Sequence, residues 1–170
     1  MSAATVRAAL KDYFADASID GLNKVFGAPP YWADGSEWNL ADNLGSGAIA
    51  AVHLASESET RVTLPATTGS KNVVYQVGLM VFYQYLLPSA TLTPIEEDAW
   101  CGPLDDILDG VKARLRADPN CGMPSVIWQA GLDKSGNPNI TIQRDLPRRL
   151  AGKVLSWNVV EFTVDEIVTA

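Results

Sequence analysis

The stretch from Asn72 to Leu87, NVVYQVGLMVFYQYLL, limits what this chain can fold into more than any other. Val, Tyr, Phe and Leu recur there almost without charge, and β-branched and aromatic side chains suit a pleated surface better than a helix. Alternate residues define two faces. One carries Val73, Tyr75, Val77, Leu79, Val81, Tyr83 and Tyr85; the other carries Val74, Gln76, Gly78, Met80, Phe82, Gln84 and Leu86. Both are largely apolar, so a layer must cover at least one of them. At about 3.3 Å per residue the strand reaches roughly 50 Å, well beyond the usual strand of about 5 or 6 residues. Such a strand either bends at Gly78 or carries part of its length out over a neighbouring chain.

A chain of 170 residues has room for one well-buried domain, and the expected organisation is a single α+β domain over 1–170 with a long irregular aromatic loop at about 20–47. Hydrophobic residues at 47% and charged residues at 19% are those of a folded protein. The net charge of −7 argues against wrapping nucleic acid or docking on an anionic membrane, because both require clustered Lys and Arg. Cys101 and Cys121 flank an expected helix without the paired spacing of a zinc site, and are read as two reduced thiols. No cationic segment leads into an apolar one at the N-terminus, and the longest apolar run is broken by Gln76, Gly78 and Gln84. Neither an export signal nor a membrane span is expected.

Val6, Ala9, Leu10, Tyr13 and Phe14 fall at helical spacing after Ser2, a residue type that caps helices, and this first helix should end near Ala17. Gly27, Pro29, Pro30, Gly35, Gly45 and Gly47 then break every period, leaving Leu22, Val25 and Phe26 to form at most one helical turn. A strand is expected in GAIAAVHLAS, a polar turn at Ser56 to Ser58, and a second strand from Glu59 to Leu64, closed by Pro65. With the long strand that follows, these read as an antiparallel meander. Thr93 and Pro94 mark one helix start, and Gly102 and Pro103 a break or second start. Beyond them Leu104, Ile107, Leu108, Val111 and Leu115 form an apolar stripe opposed by Asp105, Asp106, Asp109, Lys112 and Arg116, stopped at Asp118 to Gly122. Strands follow at Val126 to Leu132 and Ile140 to Arg144, around a polar hairpin tip. After the basic connection LPRRLAGK comes a last strand, Val154 to Val164. Helices against one face of a mainly antiparallel sheet are the architecture this order describes.

No catalytic constellation stands out. His53 is the one histidine, has no sequence neighbour that would make it a base, and reads as structural. The acids Glu96, Glu97, Asp98, Asp105, Asp106 and Asp109 read as a solvated helix surface before they read as a metal site. Gly45, Ser46 and Gly47 precede a strand and make no phosphate loop. Arg144, Arg148, Arg149 and Lys153 form the basic cluster, which suits an acidic protein surface. Tyr31, Trp32 and Trp38 lie close together in the long loop and are candidate anchors for a partner, or seals at one end of the core.

Taken together, VRAALKDYF, GAIAAVHL, SETRVTLP, VVYQVGLMVFYQY, PLDDILDGVKARL, IWQAGLD, ITIQRD and KVLSWNVVEFTV resemble, in order and texture, the tail terminator proteins of long-tailed, siphophage-like bacteriophages. The resemblance covers nearly the full chain and rests on no catalytic motif. It implies a structural, non-enzymatic virion protein without cofactors. Such a protein forms a ring, a hexamer by resemblance, at the head-proximal end of the tail tube, where it stops tube polymerisation and joins the tail to the head connector. Its partners would be copies of itself, the tail tube protein and a head connector or neck protein, with DNA only as passing cargo. Assembly would take place in the host cytoplasm. On that expectation Tyr31, Trp32, Trp38, Arg148 and Arg149 are protein-interface candidates, and the acidic or polar positions Glu57, Glu59, Asp133 and Lys134 are channel-facing candidates. A head-closure or neck protein, a small-ligand-binding domain and a metal-dependent enzyme remain as alternatives.

Overall fold

Seven strands make one sheet, and two helices lie against it, in a computed structural model that describes residues 3–29, 45–61, 69–87, 99–123, 128–132, 136–150 and 152–169. In chain order the elements are α1 (Ala3–Ala15), β1 (Leu22–Phe26), β2 (Gly47–Arg61), β3 (Ser70–Leu86), α2 (Cys101–Ala117), β4 (Trp128–Ala130), β5 (Ile140–Arg144), β6 (Arg148–Leu150) and β7 (Lys153–Thr169). The long strand is the axis of the sheet. β3 pairs with β7 antiparallel along its whole length, from Ser70 with Thr169 to Leu86 with Lys153, and no register shift occurs at Gly78. Gly78 meets a different demand: a Cβ there would lie 3.1 Å from Val159 Cγ1, so its absence lets the facing strand pack close.

Both helices bury their apolar stripes on one side of this sheet. Val6, Leu10, Tyr13 and Phe14 of α1, and Leu104, Ile107, Leu108, Val111 and Leu115 of α2, share a core cluster with one face of the sheet. That face is built from Ala48, Ala50 and Val52 of β2, the odd-numbered residues of β3 from Val73 to Tyr83, and Val160, Phe162 and Val164 of β7. The fold is therefore α+β, with a mainly antiparallel sheet and the N-terminal and central helices on one face. A smaller cluster of Ile49, Ala51 and Phe82, with Phe26, Leu155 and Trp157 packed on it, forms on the opposite face. There the Phe82 and Trp157 rings sit 4.5 Å apart.

The helix termini follow the expected chemistry. α2 begins at Cys101, which puts Pro103 in its first turn, where a missing N–H costs nothing. The break expected at Gly102 and Pro103 is thus where the described helix starts; the expected start at Thr93 and Pro94 lies outside the described residues, as does the Ser2 cap. At the other end the Asp118 carboxylate accepts from the Asn120 N–H at 3.0 Å and the Gly122 N–H at 2.8 Å. The chain turns there through Cys121 (φ 49°) and Gly122 (φ 73°).

Several expectations are corrected. Leu22, Val25 and Phe26 belong to a strand, β1, and not to a helical turn; it runs parallel to β2 against Ala48 to Ala51. A parallel neighbour requires a crossover of a dozen or more residues, which accounts for the length of the connection 27–46. Ser56 to Ser58 form no turn. β2 passes straight through them to Arg61, with a register shift between Leu54 and Ser56, so the two expected strands are one. β6 occupies part of the connection LPRRLAGK, and β7 extends five residues past Val164, to Thr169. β4 and β5 do not pair with each other as strands. They lie end to end on β7, with a Leu132 to Pro138 bridge closing the loop between them.

Gly47 fixes the junction of β1 and β2. Its φ is 148°, and a Cβ would stand 3.0 Å from the Gly21 carbonyl oxygen and closer still to the Asn23 amide. Ala48 N–H donates to that same carbonyl at 2.7 Å. Gly47→Ala is expected to cost about 1–3 kcal/mol through backbone strain and displacement of β1, read as a lower midpoint in chemical denaturation.

Candidate functional site

The sheet ends in two edges of opposite chemistry. β1 covers β2 only at residues 48–51, so among the described residues no strand pairs the outer edge of residues 52–61. About 33 Å of strand edge is left open there. From Ser56 to Arg61 every side chain is exposed, with Ser56, Ser58 and Thr60 alternating with Glu57, Glu59 and Arg61. Glu57 pairs across to Tyr75 and Glu59 to Val73, which sets both carboxylates on the helix-bearing side of the sheet. Lys71 forms an ion pair with Glu59 at 2.9 Å.

Behind this edge sits a tyrosine among carboxylates. Tyr75 is fully buried and donates its hydroxyl to Glu166, itself only 3% exposed, on β7. Burial first, then the charges of Glu57, Glu166 and Glu59, push the Tyr75 hydroxyl up to about 12. The phenol therefore stays neutral through the physiological range and acts as a fixed donor.

The opposite edge is basic. β6, β5 and β4 follow one another along β7, and the strand order places them on the far side of the sheet from β2. Arg149 pairs with Val154 and Arg144 with Asn158, which puts both on the helix-bearing side, whereas Arg148 pairs with Leu155 on the other. Arg144 is held by Asp105 of α2, and Arg148 lies 3.9 Å from Asp145. Between them Leu146 is 82% exposed, the most exposed large hydrophobic residue described. Sequence reasoning grouped the arginines and passed over this leucine. Its signal was an apolar residue directly before Pro147, between Asp145 and the paired arginines.

The structure places Arg148 and Arg149 together on β6, and Glu57 and Glu59 together on β2, at opposite edges. The other site residues expected from sequence, Tyr31, Trp32, Trp38, Asp133 and Lys134, lie outside the described residues. His53, read as structural, is exposed on the side of β2 away from the helices. Cys101 and Cys121 are free thiols, and burial pushes the Cys121 thiol up to about 12, so it is unreactive at neutral pH.

Two concavities adjoin α2. One of about 260 Å³ is lined by Asp20, Ser46, Tyr83, Tyr85 and Asp106 among others, with the Tyr83 hydroxyl donating to the Trp100 carbonyl at 3.3 Å. The other is a shallow groove along Asp16 to Asp20 and the Gly110 side of the helix. Neither brings a base to a nucleophile. Among the described residues no group of three or more His, Cys, Asp or Glu is placed to hold a metal ion, and no described helix is long and apolar enough to cross a membrane. Comparison of the chain with models of protein families and with curated proteins finds no match.

Proposed function

We propose that this chain is a structural subunit of a phage tail, a terminator that closes as a ring on the head-proximal end of the tail tube. There it stops tube polymerisation and presents a joining surface to the head. The observation that carries this reading is the pair of sheet edges that no strand among the described residues covers, acidic on β2 and basic on β5 and β6, set on opposite sides of one subunit. A head-to-tail contact joins unlike surfaces and closes into a ring when its rotation permits. The resemblance in element order supplies the biological setting, and the ring number of six comes from it alone. DNA would pass through such a ring without being held, since the chain has a net charge of −7 and its basic cluster at β5 and β6 is given to a protein contact and not to releasing counterions from phosphate.

The test is morphological. Particles assembled without this chain are expected to carry tails longer than normal that fail to join heads. Tails of normal length beside heads left open would instead identify a head-closure protein of the neck. Native mass spectrometry of the chain, alone and on tube ends, gives the ring number; a chain that stays a monomer in both settings overturns the reading.

A further inference from the structure

We infer that the open edge of β2 at residues 52–61 is completed by the β5 and β6 edge of a second copy of this chain, so that the sheet continues from subunit to subunit. The inference rests on the reading of the chain as a ring subunit and adds how the subunits join. An unpaired strand edge is a template for another strand, and three features of the molecule select the occupant.

The first is direction. β2 and β7 each run antiparallel to β3, and β5 and β6 run antiparallel to β7. A neighbour added without turning over therefore presents β5 and β6 antiparallel to β2, the stronger pairing. The second is charge. Glu57 and Glu59 lie on the helix-bearing side of their edge, and Arg144 and Arg149 lie on that same side of theirs. Arg149 is level with Val154 and Glu57 with Val164, so a neighbour slid along the strands by about ten residues, roughly 33 Å, clears β1 and brings the opposite charges together on one face, where cross-strand pairs attract. The third is irregularity. The register shift near Ala55 and the single turn of Pro147 interrupt both edges, which shortens the matching run and restrains indefinite stacking. Leu146, exposed beside Arg148, gives the contact an apolar centre.

The experiment uses the full-length chain and two double reversals, Glu57→Lys with Glu59→Lys, and Arg144→Glu with Arg149→Glu. Each alone is expected to weaken self-association about tenfold or more at low salt, as two attractive pairs become repulsive. An equimolar mixture of the two variants is expected to recover assembly, because every contact in an alternating ring again joins opposite charges. Backbone amides of residues 52–61 are expected to exchange more slowly in the assembled protein than in the dispersed chain. Rings that form normally from either variant, or rings whose 52–61 amides exchange as fast as in the dispersed chain, overturn the edge pairing and leave the ring reading standing. A wild-type chain that forms no ring, alone or on tubes, overturns both. Protection of these amides that appears only when another tail protein is added overturns a second copy as the occupant.

Discussion

Phe14→Ala should be the most damaging single truncation on the helix side of the sheet, lowering stability by about 3–5 kcal/mol. The ring is 1% exposed and meets two other aromatic rings edge to face, Tyr13 at 5.6 Å and Phe162 at 6.4 Å. It therefore ties α1 to β7, two elements from opposite ends of the chain. Removing it takes away the transfer energy of a large apolar group and the edge-to-face contacts, and leaves a cavity that the rigid sheet cannot collapse into. Denaturant unfolding followed by circular dichroism measures the loss as a shifted midpoint at unchanged slope. A loss below about 1 kcal/mol would mean that α1 is held to the sheet by something other than this cluster.

Alkali should unfold the protein in one transition below pH 12. Burial chiefly, in each case, pushes three tyrosines up to about 12. The Arg114 guanidinium, 4.1 Å from the ring, offsets part of this for Tyr13; Glu57 and Glu166 add to it for Tyr75, and Tyr85 and Cys101 for Tyr83. The buried Cys121 thiol is raised to the same level. All four groups hold their protons in the folded state past the pH at which the unfolded chain releases them, ordinarily 10.0 for tyrosine and 9.0 for cysteine. The stability that they contribute is complete below that range and is lost as pH climbs through it towards 12. Tyrosinate absorbance from the buried rings should therefore appear together with loss of the strand signal. Absorbance that reaches its full value near pH 10 with the sheet intact would contradict the burial of Tyr13, Tyr75 and Tyr83. Tyr83→Phe should move the transition to higher pH.

What could be read in the sequence was whatever repeats. The stripes of α1 and α2 and the two faces of β3 are local patterns, and most of their apolar residues are buried, although Ala9, Met80 and Tyr85 are only partly covered and Leu86 is exposed. β7 also alternates as expected, although its buried side includes Ser156 and Asn158, which satisfy each other in part through a 3.1 Å hydrogen bond. The misreadings share one cause, which is pairing at long range. Leu22 to Phe26 has too few residues to display a period, and it is a strand because it pairs with Ala48 to Ala51. Ser56 to Ser58 have the composition of a turn, but β3 holds them extended. Arg148 to Leu150 become a strand through the tight reversal at Gly152, whose φ of 79° lets the chain fold back on β7. For the candidate site, the arginines and glutamates were visible as residues. Their arrangement on opposite edges was not, because it depends on strand order, which no local pattern encodes.

The register of β3 with β7 also bears on how the protein is made. Synthesis delivers β3 well ahead of β7, and at about 5–20 residues per second the apolar strand waits several seconds for the partner that covers its second edge. Pairs as distant as Ser70 with Thr169 close the largest loops among the strand pairs, the kind of contact that slows folding most. Nascent chains stalled before Lys153 would hence emerge from the ribosome with the centre of their sheet uncovered, a natural substrate for chaperones and a hazard at high expression.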